Sequence, residues 1–197
     1  MKAYYDARAR EYDDWIDGVG VYDSRVRPGW EEELVALRAA LEALPPARTL
    51  DVACGSGYFT RFLPGHVVAL DQSENMIEVA RERDAATEYV VGDALELPFA
   101  DASFERVFTG HFYGHLQDDE RRRFLSQAAR VAPQLIVLDS ALREEVAREE
   151  WQERLLKDGS CWQVYKRYFE PEQLADELGG GRTLFGGVWF VVVAAPA

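Results

Sequence analysis

A glycine-rich turn with an acidic residue just before it is the first feature of the sequence that could do chemistry. Residues 50–60 read LDVACGSGYFT, an apolar run that leads through Gly55 and Gly57 toward a helix. Glycine lets the backbone approach a ligand closely, and a turn that opens a helix presents free N–H groups to it. Taken alone, two glycines after a strand also make an ordinary tight turn.

Two further acidic residues follow later apolar runs. Asp71 ends the next run, twenty positions after Asp51, and Asp93 follows the run after that. At the carboxyl ends of strands in an open α/β sheet, a carboxylate at Asp71 is placed to accept the hydroxyl protons of a ribose. Asp93 could accept from an adenine amino group, so we expect a nucleoside-sized site. For each residue the alternative is a helix N-cap or a turn, where aspartate is also favoured.

The apolar periodicity predicts the elements that position these residues. Five β-rich runs alternate with amphipathic segments, a spacing typical of βαβ units and a parallel sheet. Gly186-Gly187 before a last apolar run predicts a closing antiparallel hairpin. The charged residues 143–154 predict a solvated helix. The predicted strands are residues 48–53, 66–71, 88–91, 104–108, 134–139, 183–185 and 188–195, and the other predicted helices are residues 30–43, 74–83 and 118–131.

The composition narrows the range of partners and compartments. The 197 residues are 48% apolar and 29% charged, as in a compact domain. A net charge of −13 disfavours nucleic acids and anionic membranes as partners. Cys54 and Cys161 lack metal-ligand spacing, so we expect neither a disulfide nor a metal site. The opening residues lack an apolar signal run and no long apolar segment follows, so we expect a cytoplasmic protein.

Three ordered motifs resemble those of the class I S-adenosylmethionine (SAM)-dependent methyltransferases. They are residues 51–57, residues 71–76 (DQSENM), and residues 92–99 (GDALELPF) with Ser103-Phe104-Glu105. The resemblance covers residues 48–140 and is similar to the small-molecule branch related to the ubiquinone and menaquinone biosynthesis methyltransferases. It implies a Rossmann-like three-layer α/β sandwich, with a mostly parallel seven-stranded sheet and an antiparallel C-terminal hairpin.

The resemblance also implies how the chain is divided. Residues 1–197 would form a single domain, with an N-terminal helical cover over residues 1–47. The cofactor-binding core would span residues 48–140, and C-terminal helices and the hairpin would fill residues 141–197. Because no long insertion is expected to interrupt the sheet, the pocket should have little lid material.

The same resemblance assigns cofactor contacts to individual residues. Asp51 and the glycine backbones would hold the methionine end of SAM, and Asp71 would hold the ribose. Asp93 would border the adenine. The full set of implied cofactor-binding residues is Asp51, Ala53, Gly55, Gly57, Asp71, Gln72, Met76, Asp93, Ala94 and Leu95.

The loop after the fourth predicted strand gathers two imidazoles, a phenol and two glycines. His111 and His115 are candidate general bases for an acceptor that must lose a proton, because neutral imidazole is available near pH 7. The alternative is that they orient the loop or contact SAM without proton transfer. The predicted substrate pocket adds aromatic residues from this loop and from the N-terminal segment: Tyr4, Tyr12, Trp15 and Tyr113.

The predicted reaction is methyl transfer from SAM to a small-molecule acceptor, by direct in-line displacement without a metal and with S-adenosylhomocysteine (SAH) as product. SAM carries its own leaving group, so the protein mainly aligns the acceptor and excludes water. A SAM-binding regulator or assembly protein without transfer activity stays open. An NAD-dependent oxidoreductase is disfavoured because Thr60 replaces the third glycine of the dinucleotide motif. The nature of the acceptor atom and the choice between monomer and homodimer stay open.

Overall fold

The architecture was determined from a computed structural model that describes residues 1–23 and 26–197. Within these residues strands and helices alternate through the middle of the chain, as the periodicity predicts. The helices are α1 (Lys2–Arg8), α2 (Asp14–Asp17), α3 (Trp30–Glu42), α4 (Glu74–Arg83), α5 (Asp118–Val131) and α6 (Pro171–Glu177). The strands are β1 (Ala47–Val52), β2 (Gly65–Asp71), β3 (Glu88–Val91), β4 (Arg106–Gly110), β5 (Gln134–Ser140), β6 (Glu149–Leu155), β7 (Cys161–Arg167), β8 (Arg182–Gly186) and β9 (Phe190–Pro196).

Seven of the strands form one sheet in the order β3-β2-β1-β4-β5-β9-β8. Strands β1 to β5 are mutually parallel, and β9 pairs antiparallel with both β5 and β8. The predicted mostly parallel sheet with an antiparallel C-terminal hairpin is therefore confirmed. The strand order reverses between β1 and β4, which opens a crevice at their carboxyl ends where ligands of such sheets bind.

Helices cover both faces of the sheet, which gives the three predicted layers. In β5, Ile136 and Leu138 pack toward α3, whereas Leu135 and Val137 pack toward α5 and α6. Strands buried on both faces read as continuous apolar runs, which is why these segments of the sequence lack a polar alternation. The α3 helix buries one stripe, Trp30, Leu34, Leu37 and Leu41, at helical spacing.

The N-terminal segment covers the carboxyl edge of the sheet. Asp6 accepts a hydrogen bond from the Ser73 hydroxyl at 2.6 Å, and Asp13 accepts one from the Ser56 hydroxyl at 2.6 Å. Arg83 of α4 forms an ion pair with Asp13. These bonds attach residues before α3 to the turns that follow β1 and β2. None of the helices in the described part of the chain is long and apolar enough to cross a membrane.

The segment after β5 differs from the prediction. Residues 149–155 of the predicted solvated helix form β6, which pairs with β7 in a separate antiparallel hairpin. Exposure alternates along β6, with Glu150, Gln152 and Arg154 on the more buried face. The more buried face is polar and the apolar Trp151 and Leu155 lie on the exposed face, so the strand has no inward-facing apolar alternation to detect. The sequence did not predict this hairpin. Among residues 141–197, α6 is the only helix that the structure describes.

Candidate functional site

A cavity of about 240 Å³ lies at the carboxyl ends of β1 and β2, at the reversal of strand order. It extends over the turn after β3 and below the N-terminal segment. Seven of the ten residues predicted to bind a cofactor line it: Ala53, Gly55, Asp71, Gln72, Asp93, Ala94 and Leu95. The crevice expected from the topology is thus lined by the motifs that the sequence singled out.

Asp71 connects the glycine turn to the end of β2. Its two carboxylate oxygens accept backbone N–H groups from Gly55 at 2.9 Å and from Ser73 at 2.8 Å. Burial raises the pKa of Asp71 to about 6. Gly55 has a φ of +56° and Ala53 a φ of +58°, a left-handed conformation that a non-glycine residue adopts only at a cost. The backbone of this turn, at Ala53 and Gly55, thereby lines the cavity.

A second cavity of about 400 Å³ adjoins the first. It lies between the N-terminal segment, the start of α3, the hairpin β6–β7 and the end of the sheet. Tyr5, Tyr12, His111 and His115 line both cavities, so the two spaces meet at these side chains. The other residues that line the second cavity are Arg8, Trp15, Tyr22, Arg27, Trp30, Ser140, Arg143, Glu150, Trp151, Gln152, Glu153, Arg154, Lys166, Tyr168, Trp189 and Phe190.

His111 lies at the junction, immediately after β4. Its backbone φ is +55°, and its ring packs edge-on against Trp15 with centroids 4.8 Å apart. Nδ1 lies 3.4 Å from the Ser140 hydroxyl and 3.8 Å from an oxygen of Asp139. Nε2 is buried and has no hydrogen-bond partner within the described part of the chain. Burial lowers the pKa of His111 to about 3, so the imidazole is neutral at pH 7.

His115 is held by the hairpin. Its Nδ1 lies 2.6 Å from the backbone carbonyl oxygen of Tyr165, and a carbonyl only accepts, so Nδ1 carries the hydrogen. Nε2 is left as an acceptor. Burial lowers the pKa of His115 well below its usual value, and the nearby cations Lys166 and Arg154 lower it further. Both histidines at the junction are therefore neutral.

Asp139 at the end of β5 is a buried anion with several partners. Its side chain is 0% exposed and receives the Lys166 ammonium at 2.5 Å. It also accepts backbone N–H groups from Gly114 at 2.7 Å and from Ser140 at 2.8 Å. Burial raises its pKa, but the charge and hydrogen bond of the Lys166 ammonium outweigh that effect and hold the pKa below its usual value. Asp139 thereby joins the histidine loop to β7.

Comparisons with known proteins agree with this geometry. Residues 50–134 match a protein family described as a methyltransferase domain. The complex of the protein DhpI with SAH has a TM-score of 0.72 and 26% sequence identity, and the match covers 99% of this chain and 94% of that one. Over residues 50–134 the chain is therefore similar to methyltransferase domains. A second DhpI structure, described as a DhpI-SAM-HEP complex, has a TM-score of 0.71 with 27% identity over 98% and 95% of the two chains.

Curated relatives match only part of this chain. A malonyl-[acyl-carrier protein] O-methyltransferase from Erwinia pyrifoliae is 51% identical over 65 residues, which is 32% of this chain and 25% of the relative. A demethylmenaquinone methyltransferase from Thermotoga maritima is 34% identical over 107 residues, covering 52% of this chain and 44% of the relative. This chain therefore spans less than half the length of these relatives.

Three of the predicted cofactor-binding residues do not line the first cavity: Asp51, Gly57 and Met76. Asp51 is buried and accepts the Thr60 hydroxyl at 2.6 Å, and burial raises its pKa to about 7. Its other oxygen, Oδ1, has no hydrogen-bond partner among the residues that the structure describes. Gly57 has a φ of +71° and packs against Ala80 of α4. Met76 is fully buried under the cavity floor.

Of the four predicted substrate-pocket residues, the structure brings two to the second cavity. Tyr12 and Trp15 line it, but Tyr113 and Tyr4 do not. Tyr113 starts a 3-10 turn that directs its ring away from the histidines and into the core, where its hydroxyl donates to Glu177 at 2.9 Å. Tyr4 packs against Trp162 of the hairpin. Neither tyrosine lines either of the two cavities, and a substrate-pocket role for them stays a prediction.

Several charged residues of the site were not predicted. Arg8, Arg154 and Lys166 line the second cavity but lie in segments whose charges indicate a solvated surface. Asp139, near the end of β5, was not among the predicted site residues, and the next regular element after β5 in the described chain is the strand β6. The one available signal is that Asp139, like Asp51 and Asp71, ends an apolar strand at the carboxyl edge of the sheet.

Because Gly114 lies close to Asp139 and to the Arg167 carbonyl, we expect a methyl group at position 114 to destabilise the folded protein. In Gly114→Ala the new Cβ would lie 2.6 Å from the Arg167 carbonyl oxygen and 3.0 Å from Asp139. We expect the free energy of unfolding to fall by about 2 kcal/mol, measured by urea denaturation. In the control Gly110→Ala the nearest atom is 3.4 Å away, an ordinary contact. Equal losses in the two variants would contradict this prediction.

Proposed function

We propose that the protein transfers a methyl group from SAM to a small-molecule acceptor without a metal. The observation that carries the proposal is the pair of adjoining cavities at the carboxyl edge of the sheet, which meet at His111 and His115. One cavity carries the family's cofactor motifs, and the other is formed by segments outside them. In this arrangement the reacting atoms meet beside the two histidines.

The acidic side chains in and behind the first cavity suit the polar groups of SAM. Asp71 presents a buried carboxylate at the end of β2, where a ribose would donate its hydroxyl hydrogens. Behind the glycine turn that lines this cavity, Asp51 has one buried carboxylate oxygen without a hydrogen-bond partner among the described residues, which suits the ammonium group at the methionine end of SAM. The exposed Asp93 accepts from the Leu95 N–H at 2.8 Å, so the turn that would border the adenine is rigid.

The chain's own contribution to the reaction is positioning and exclusion of water. When bound, SAM supplies an electrophilic methyl carbon together with its own leaving group. The N-terminal segment, bonded to Ser56 and Ser73, forms a cover over the first cavity, and the hairpin covers the second. His111 and His115 fix the boundary between them. Such alignment of two bound reactants supplies a large part of the barrier reduction in transfer reactions.

The near full-length likeness to the DhpI complexes with SAM and SAH supports a SAM site here. The curated relatives do not supply the acceptor, because this chain spans less than half of each. We propose a small molecule, because the second cavity is bordered on several sides by described segments and holds about 400 Å³. A cytoplasmic location and the lack of a nucleic-acid partner stay predictions.

Calorimetric titration of the purified protein with SAM, SAH and NAD tests the cofactor directly. We expect SAM and SAH to bind in the micromolar range with one site per chain, and NAD to show no saturable binding at the same concentrations. The reason is that the glycine turn lacks the third glycine that a dinucleotide pyrophosphate needs. Binding of NAD alone, or of none of the three, would contradict the proposed function.

A further inference from the structure

The second cavity has the opposite charge balance to the rest of the protein. The whole chain carries 35 acidic and 22 basic residues. Among the residues that line this cavity, two are acidic, Glu150 and Glu153, and five are basic: Arg8, Arg27, Arg143, Arg154 and Lys166. A basic pocket in a protein of net charge −13 concentrates positive potential where a ligand would bind.

Arg8 is the most unusual of these cations because it is 4% exposed. One guanidinium nitrogen donates to the Tyr4 hydroxyl at 2.7 Å, and another contacts the Tyr22 hydroxyl at 3.2 Å. The guanidinium also lies over the Tyr12 ring, 4.9 Å from its centroid. Within residues 1–23 and 26–197 no carboxylate lies at ion-pair distance from it. A buried charge without a counter-ion is costly, which points to an anion supplied from outside.

The hairpin adds further cations on the opposite wall. The Arg154 guanidinium donates to the side-chain oxygen of Gln152, and no carboxylate lies at ion-pair distance from it in the described chain. Arg143 stacks on Trp189 at 4.4 Å and has Glu145 at 3.9 Å as a distant partner. Lys166 is already paired with Asp139. Arg8 and Arg154 are two cations of this lining whose hydrogen-bond partners among the described residues are uncharged.

The acidic residues of the lining do not neutralise these two arginines. Glu150 accepts a hydrogen bond from the Gln152 amide at 2.6 Å, and Glu153 is exposed and contacts Gln163 at 3.5 Å. Both carboxylates thus bond to uncharged amides of the hairpin. Within the described chain, neither carboxylate lies at ion-pair distance from Arg8 or Arg154.

We propose that the methyl acceptor is a small oxyacid anion, a carboxylate or a phosphonate or phosphate, bound by Arg8 and Arg154 and methylated on its anionic oxygen. This inference rests on the proposed function and names its substrate class. Guanidinium groups bind both kinds of oxyanion by paired hydrogen bonds, so the cavity fits their shared chemistry. The aromatic walls from Tyr5, Trp15 and Trp189 would pack against the apolar remainder of the acceptor.

An oxyanion also suits the neutral histidines at the junction. A lone pair on the anionic oxygen forms the new O–C bond to the methyl carbon, and the pair of the breaking C–S bond stays on sulfur. The sulfonium and the oxyanion become a neutral thioether and an ester with one negative charge fewer. No proton is released, so the reaction needs no general base. The unpartnered Nε2 of His111 then borders the reacting oxygen without accepting a proton from it.

Four probes that share a phenyl group but differ in charge test the proposal on the SAH-loaded protein. They are benzoate, phenylphosphonate, benzyl alcohol and benzylammonium, titrated by calorimetry. We expect one or both anions to bind saturably, and their relative affinity separates carboxylate from phosphonate recognition. Arg8→Gln and Arg154→Gln should each weaken the anion about tenfold or more, the loss of a charge-assisted hydrogen bond.

The controls separate this proposal from the proposed function. Arg10→Gln changes an exposed arginine that pairs with Glu82, and should leave anion affinity unchanged. Affinity for SAH should stay the same in all variants, and if Arg8→Gln does not fold, Arg154→Gln decides. Equal binding of benzyl alcohol or benzylammonium, no anion binding, or no effect of either cavity arginine would overturn the proposal while SAH still binds. Loss of SAH binding in the unmodified protein would instead contradict the proposed function.

The reacting atom is tested with the anion that binds. Incubation with methyl-labelled SAM should give the labelled methyl ester of that anion, identified by mass spectrometry, with an equal amount of SAH. Proton release, followed with an indicator dye in weak buffer, should be absent during transfer to the carboxylate, and absent for the phosphonate at a pH above its second pKa, where it is a dianion. Label on another atom of the probe, or no methylated anion, would overturn the assignment of the reacting oxygen.

Discussion

Replacing Asp71 with alanine is expected to lower the affinity for SAH by about 100-fold, measured by calorimetry. The variant removes the two ribose contacts proposed for this carboxylate and leaves the Gly55 and Ser73 N–H groups without their acceptor. Hydrogen bonds to a charged group contribute about 1.5–3 kcal/mol each, so the loss of two gives this order of effect. Asp84→Ala removes a half-buried carboxylate outside the cavity and should leave SAH affinity unchanged.

The pH dependence of SAH binding gives a second test of the same residue. The pKa of Asp71 is about 6 in the free protein, and a ribose donates to its ionised form. Affinity should therefore be constant above this pKa and fall as the pH drops through it. In Asp71→Asn this fall should disappear along with most of the affinity. An unchanged pH profile in that variant would assign the titration to another group.

Replacing Asp139 with alanine is expected to lower the free energy of unfolding by about 3–5 kcal/mol, measured by urea denaturation. The variant leaves the Lys166 ammonium, which is 4% exposed, buried without its partner. It also leaves the Gly114 N–H without an acceptor. An uncompensated buried charge costs more than the intact ion pair contributes, so the single variant is worse than removal of both charges.

A double variant makes the Asp139 prediction specific. Asp139→Leu with Lys166→Met should recover most of the stability, because no buried charge remains. Glu145→Ala, at an exposed carboxylate, should change stability little. The folded-state pKa of Asp139 is lowered, so its contribution to stability is present above pH 4 and is lost as the pH falls through the folded-state pKa. Additive losses in the double variant would contradict the ion-pair explanation.

The sequence predicts the sheet well because burial on both faces leaves a local record. Strands such as β5 are continuous apolar runs, and the turns between elements contain glycine, proline or aspartate. The cofactor motifs are equally local, since each follows one strand end. Ala53, Gly55 and Asp71 therefore reach the first cavity as predicted. Their roles toward SAM stay predictions until the binding experiments are done.

The second cavity could not be predicted because its residues meet only in three dimensions. Arg8 and Arg154 are 146 positions apart and face the same cavity. The more buried face of β6 carries Glu150, Gln152 and Arg154. In the sequence these charged and polar residues predict a solvent-exposed segment. Tyr113 does not line either cavity for a related reason. The 3-10 turn, rather than the residue type, decides which side chain of the loop faces a cavity.

The lining of the second cavity has a consequence for how this protein diverged from its relatives. Of the residues that line it, only His111 and His115 fall within the family match at residues 50–134. Substitutions in the N-terminal segment and in the hairpin can alter the choice of acceptor while the cofactor motifs stay under separate selection. Close sequence identity over residues 50–134 therefore carries little information about the acceptor. Assignment of a substrate by homology should compare the N-terminal segment and the β6–β7 hairpin instead.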